Sequence, residues 1–210
     1  MSKFTKQEGA QLRAVPCLDV VAFSSDAATE ARPGFERFMR AFTDRYSGQF
    51  TYYQTGDMKR FRKFEPQVLD APSHWFSDQS LLATKLLGFR AHSGRKQTMI
   101  CPPSVDFTLM GLWEPPSFVF RVSLPVEVGE EADGLPALVQ EALADFPLQS
   151  GYCGYSLLWE RTDHSVERDV CEWAGPLLRR HPGLNYGDVI MASNAVHDGE
   201  RGGELAHVSW

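Results

Sequence analysis

One stripe of side chains constrains this chain more than any other feature. Phe35, Phe38, Met39, Phe42 and Tyr46 recur at the spacing of a single helix face, while Arg37, Arg40, Asp44 and Arg45 occupy the other. A helix with that many rings on one side must lay them on an apolar surface. Its neighbours supply candidates: Leu18-Asp19-Val20-Val21-Ala22-Phe23 upstream, and the β-branched and aromatic run Phe50-Thr51-Tyr52-Tyr53 downstream. The helix is expected to begin near Pro33, since proline suits a first turn, and to end at Ser47-Gly48.

The rest of the chain repeats this theme. Strands are expected at Leu86–Arg90, Gln97–Ile100, Phe107–Leu112 and Phe118–Val122, cut apart by Pro102-Pro103 and Pro115-Pro116. A second helix is expected from Gly134 to Asp145, with Leu135, Leu138, Val139 and Leu143 inward. The run Gly151 to Trp159 reads as a strand opened by glycines. A third helix follows from near Ser165 to Arg180, stopped by His181-Pro182-Gly183, and Val189–Ala192 is a further short strand. Regular strand–helix alternation is absent. The order predicts a single α+β domain, with a mainly antiparallel sheet and about three helices packed on it. Residues 1–15 read as a polar lead-in and 16–210 as the domain. The strand-like apolar run at Gly202 to Trp210 is expected either to be pinned in a sheet or to mark a fragment of something longer, because chains usually end in polar tails.

Composition limits the function classes. Of 210 residues, 43 % are hydrophobic and 12 % aromatic, enough for a core, and 23 % are charged, which excludes wholesale disorder. The formal net charge of −6 argues against direct nucleic-acid binding. The one basic run, Lys59-Arg60-Phe61-Arg62-Lys63, could stack bases on Phe61 and Phe64, but a short amphipathic element with solvated cations is the plainer reading. The N-terminus lacks a secretory apolar core, and no run of about 18 apolar residues occurs, so a cytoplasmic protein with no membrane partner is expected. Cys17, Cys101, Cys153 and Cys171 lie far apart and are expected to be reduced, mostly buried thiols.

Motifs for common chemistries are missing. There is no phosphate-cradling glycine loop and no HExxH, and the six histidines are scattered, so neither cofactor nor metal is expected. Cys153, in Gly-Tyr-Cys-Gly-Tyr, is the best nucleophile candidate; the alternative is a small buried side chain in a tight strand. Glu127, Glu130, Glu131 and Asp133 precede the second helix. They read as a solvated loop favoured by the helix N-terminus, as an acidic surface for a basic partner, or as oxygen ligands for a hard cation. Trp159 and Trp173 fit core stripes. Trp75 and Trp113 lie beside proline-rich loops, where an exposed ring would anchor an interface and a packed one would close the core. The candidate partner-binding residues are therefore Glu127, Glu130, Glu131, Asp133, Trp75 and Trp113, with no catalytic residue.

Three blocks carry a resemblance. Gly151-Tyr152-Cys153-Gly154-Tyr155, then His181-Pro182-Gly183-Leu184-Asn185-Tyr186, then Glu204-Leu205-Ala206-His207-Val208-Ser209-Trp210 resemble successive motifs of the TsiV-type immunity family of type VI secretion. The resemblance spans about residues 18–210 and rests on glycines and aromatics. It implies a cytoplasmic protein that binds and neutralises a cognate antibacterial toxin, commonly a nuclease of the restriction-endonuclease fold, by covering its active site or DNA-binding surface. It carries over no catalytic residue. In the family the last motif continues into further chain. The competing reading is a small cysteine-dependent hydrolase using Cys153.

Overall fold

In the computed structural model the described residues are 6–8, 11–24, 28–70, 74–75, 78, 86–110, 117–130, 134–159 and 164–184. They form a single domain built on one antiparallel sheet, as the element order predicts. The strands are β1 (Lys6–Glu8), β2 (Gln11–Ser24), β3 (Tyr52–Thr55), β4 (Arg62–Lys63), β5 (Leu86–His92), β6 (Ser104–Met110), β7 (Ser117–Leu124) and β8 (Ser150–Trp159). The helices are α1 (Ala28–Tyr46), α2 (Gly134–Leu143) and α3 (His164–Arg180). The sheet runs β1-β2-β7-β6-β5-β3-β4, and β8 pairs with β2.

β2 organises the sheet. Leu18 to Ser24 pair with β7, while Ala14 to Phe23 pair with β8 along the other edge. Because successive side chains point to opposite faces, Ala14, Leu18 and Ala22 share one face, and Cys17, Asp19, Val21 and Phe23 the other. All three helices lie on the first face. There Phe35, Phe38, Met39, Phe42 and Tyr46 of α1 join Phe107 and Phe120 of the sheet and Leu138 and Ala142 of α2 in one buried cluster. Phe35 stands 4.6 Å from Phe107 and 5.1 Å from Phe120, ring to ring. Each ring removed from water contributes about 1.5–3 kcal/mol, so this stripe is the main reason the helix docks. α3 covers the far end of the same face, with Val170 against Ala14 and Trp159, and Ala174 against Leu157.

Several boundaries differ from the sequence reading. β2 begins at Gln11 and forms a hairpin with β1, so strand structure reaches into the polar lead-in. α1 begins at Ala28, which places Pro33 inside it; a proline there removes one backbone donor and crowds the carbonyl four residues back, so the first turn forms at a cost that the first-turn reading of Pro33 does not include. α2 ends at Leu143. Gln97–Ile100 is not a strand: it belongs to a tight loop joining β5 to β6, in which the Met99 N–H donates to the Lys96 carbonyl at 3.0 Å. Ile100 is apolar because it is buried beneath Phe61 and Leu158. β6 is correspondingly shifted to Ser104–Met110. The short strand expected at Val189–Ala192, and the terminal run to Trp210, lie outside the described residues.

Candidate functional site

The side of the sheet away from the helices, where Phe61 and Ile100 pack over Cys17 and Leu158, holds a buried polar network. Arg121 and Asp19 are fully buried, on the neighbouring strands β7 and β2. Arg121 donates from Nε and Nη2 to Asp19 Oδ2 at 2.9 and 2.6 Å, and from Nη2 to the Leu157 carbonyl at 3.2 Å. The other carboxylate oxygen accepts from the Ser123 hydroxyl at 2.6 Å and the Cys17 thiol at 3.2 Å. Burial alone would depress the guanidinium; the Asp19 carboxylate more than offsets this and holds it raised. Burial pushes the Cys17 thiol well up, and Asp19 adds to the effect. A neutral thiol and a saturated carboxylate are poor reagents. The network's evident work is structural: it ties β2, β7 and β8 in one register.

Beside it, Arg90 and Asp106 pair at 3.5 Å across β5 and β6. Phe61, His92 and Ile100 line a small recess there. His92 is buried, stacked on Tyr52 and met edge-on by Phe61, and its Nδ1 accepts the Gly94 N–H at 3.0 Å. Phe61 is buried under the Arg90 guanidinium, whereas Arg60, Arg62 and Lys63 are exposed. The basic run is thus a loop leading into β4, with solvated cations and with Phe61 turned inward and unable to stack a base.

The sequence-selected surface residues are distributed as follows. Glu127 and Glu130 are exposed on the 3₁₀ turn Val126–Glu130, which is anchored by buried Val128. Glu131, Asp133 and Trp113 lie outside the described residues. Trp75 is half-buried and stacks on Phe107 at 5.9 Å, closing the edge of the main core. Cys153 and Cys171 are exposed, against the expectation of mostly buried thiols. The reason for Cys153 is local: the first half of β8 extends past the helices. Partial burial, with the Asp19 carboxylate on the adjoining β2, raises the Cys153 thiol and so disfavours the thiolate a nucleophile needs. Among the described residues, no group of three or more His, Cys, Asp or Glu could hold a metal ion, and no helix is long and apolar enough to cross a membrane.

One surface feature escaped the sequence reading. Among the residues whose side-chain burial is described, Leu148 and Tyr155 are the large hydrophobics left exposed, at 47 % and 48 %. Both belong to one stripe. Gly151, Cys153 and Tyr155 alternate onto the same face of β8, and a methyl group at Gly151 would lie 3.4 Å from Leu148 Cδ1. A methyl group at Gly129 would lie 3.2 Å from the Tyr155 hydroxyl, so the turn carrying Glu127 and Glu130 borders the stripe. Strand alternation could have placed three of these residues together, but only the end of the helical cover decides that they are exposed.

Comparison with known proteins agrees with this fold. A T6SS protein of Pseudomonas aeruginosa, PA0821, superposes with a TM-score of 0.72 at 16 % sequence identity, over 89 % of this chain and 52 % of that one. The chain therefore spans about half the length of that solved relative. No functionally curated protein matches it. Residues 32–204 match the sequence profile of TsiV, described as type VI immunity for VRR-NUC. With most of its length inside that match, the chain belongs to the TsiV family of type VI immunity proteins.

Proposed function

We propose that this protein binds a cognate type VI secretion effector and neutralises it, and that the effector is a VRR-Nuc-type nuclease. The observation that carries this reading is the family match over residues 32–204. The shared architecture with a T6SS protein supports it at the level of fold. Inhibition then requires no chemistry from this chain: occupying the nuclease active site, or the groove that receives DNA, is sufficient. A DNA-binding groove is basic, because it must neutralise phosphates, and this chain is acidic, with a formal net charge of −6. The protein acts in the cytoplasm of the producing cell, where a nuclease would otherwise reach the chromosome. The buried Arg121–Asp19 pair and the raised Cys153 thiol weigh against the hydrolase alternative.

The test is protection. Cells expressing the paired effector with this protein should survive, and cells expressing the effector alone should die with degraded DNA. Equal killing with and without this protein would overturn the reading. Cys153→Ala should protect as well as wild type; loss of protection by that variant at normal abundance would revive a thiol-dependent mechanism.

A further inference from the structure

We infer that the exposed face of β8, Leu148-Gly151-Cys153-Tyr155 with Glu127 and Glu130 at its border, is where this protein docks a partner protein whose contact surface is an apolar recess rimmed by lysines and arginines. The inference rests on the proposed toxin-binding role and names the surface that performs it. Three observations point to this surface.

The first is concentration. Leu148 and Tyr155 are the exposed large hydrophobics among the residues whose side-chain burial is described, and they fall on one stripe. Scattered single exposures are ordinary; two large side chains flanking a glycine and a small thiol make a low saddle with raised ends. Tyrosine is among the residue types enriched as interface anchors, since it brings apolar area and a polar tip.

The second is rigidity. β8 is hydrogen-bonded to β2 through ten consecutive pairs, Ala14↔Trp159 to Phe23↔Ser150. Gly151 approaches so closely that a methyl group there would stand 2.5 Å from the Val21 carbonyl oxygen. The buried Asp19–Arg121–Leu157 bonds hold β8 and β7 to β2 from the other side of the sheet. A patch on such a support loses little entropy when bound.

The third is charge. Glu127 and Glu130 are exposed on a turn whose Gly129 faces the Tyr155 hydroxyl. The turn itself is fixed, with the Val128 N–H donating to the Pro125 carbonyl at 3.1 Å. Carboxylates bordering an apolar anchor select a partner with cations around an apolar recess, and they speed encounter with it. A second copy of this chain would set the same carboxylates against each other, which disfavours self-association through this face.

The test uses the wild-type protein and the effector encoded with it. Cys153 sits in the middle of the stripe, and Cys171, also exposed, lies on α3. In the complex, maleimide labelling of Cys153 should slow at least tenfold relative to the free protein while labelling of Cys171 is unchanged. Leu148→Ser with Tyr155→Ser should weaken binding at least 30-fold, with Tyr155→Phe close to wild type. Glu127→Lys with Glu130→Lys should slow association several-fold at low salt and much less at high salt. If wild type binds the effector but Cys153 labels at the free rate, the docking surface is elsewhere and this inference fails while the immunity reading stands. If wild type does not bind the effector at all, the immunity reading fails first. A wild-type dimer that the Leu148→Ser/Tyr155→Ser variant dissociates, with effector binding intact, would assign the stripe to self-association and overturn the inference.

Discussion

Arg121 carries a charge shielded from solvent, and the molecule tolerates it because Asp19 lies beside it. The pair is worth less than its geometry suggests, because both ions lost their hydration. Breaking it is another matter. Arg121→Met should destabilise the fold by about 3–5 kcal/mol by stranding the Asp19 carboxylate, whereas the double change Asp19→Leu with Arg121→Met should recover most of that loss. Urea midpoints of the three proteins check this, and a double variant as weak as the single one would refute it. His92 gives a second prediction, in pH. Burial, with Arg90 nearby, lowers it to about 4 from 6.5. The unfolded chain therefore binds the proton first, so stability contributed by neutral His92 is complete above pH 6.5 and is lost as pH falls toward 4. On the order of 1–2 kcal/mol should disappear between pH 7 and pH 5 from this group, and His92→Gln should flatten that slope. Neither residue was legible in the sequence. Asp19 and Arg121 are 102 positions apart, and only the β2–β7 register brings them together.

At the scale of elements, the sequence was most informative where one face of an element is apolar. The α1 stripe, the α2 stripe, and the strands around Leu86, Phe107, Phe118 and Gly151 each announce themselves, because burial on one side forces a period. The β1–β2 hairpin did not, since its polar residues carry no period, and the Gln97–Ile100 run misled because Ile100 is apolar for the sake of a loop. What periodicity cannot show is how closely elements approach. Gly34 on α1 is such a place: a methyl group there would stand 2.5 Å from Phe146 Cα and 2.6 Å from the Asp145 carbonyl oxygen, just beyond α2. Backbone cannot yield as a side-chain tip can. Gly34→Ala should therefore cost about 1–3 kcal/mol by prising the end of α2 from α1, despite alanine's better helix propensity. Gly48, where a methyl group would meet nothing within 4 Å, is the control. Gly48→Ala should stay within about 0.5 kcal/mol of wild type by thermal unfolding. Equal effects at the two glycines would mean that α1 and α2 have room to spare.

For the molecule as a whole, the arrangement of layers decides what can bind. The helices α1, α2 and α3 cover one face of the sheet, so β8, where it runs beyond them, leaves Cys153 and Tyr155 exposed on that same face. Charge density alone draws attention to Glu127 and Glu130 in the sequence, whereas nothing in it marks Leu148 and Tyr155, because exposure is a property of the finished layers. The sequence also selected Trp75, which the structure uses to close the core beside Phe107. The proposed nuclease partner would set this acidic border in competition with nucleic acid for a basic groove, and competition is measurable. If the protein occupies the groove, duplex DNA and this protein exclude each other on a catalytically inactive effector. Its apparent Kd should then rise in proportion to DNA concentration once DNA exceeds its own Kd, and saturating amounts of this protein should release bound DNA completely. An effector that binds DNA and this protein simultaneously, with unchanged affinities, would require inhibition from outside the groove. Both outcomes are readable by fluorescence anisotropy of labelled DNA at one fixed salt concentration, which matters because the DNA arm weakens steeply as salt rises.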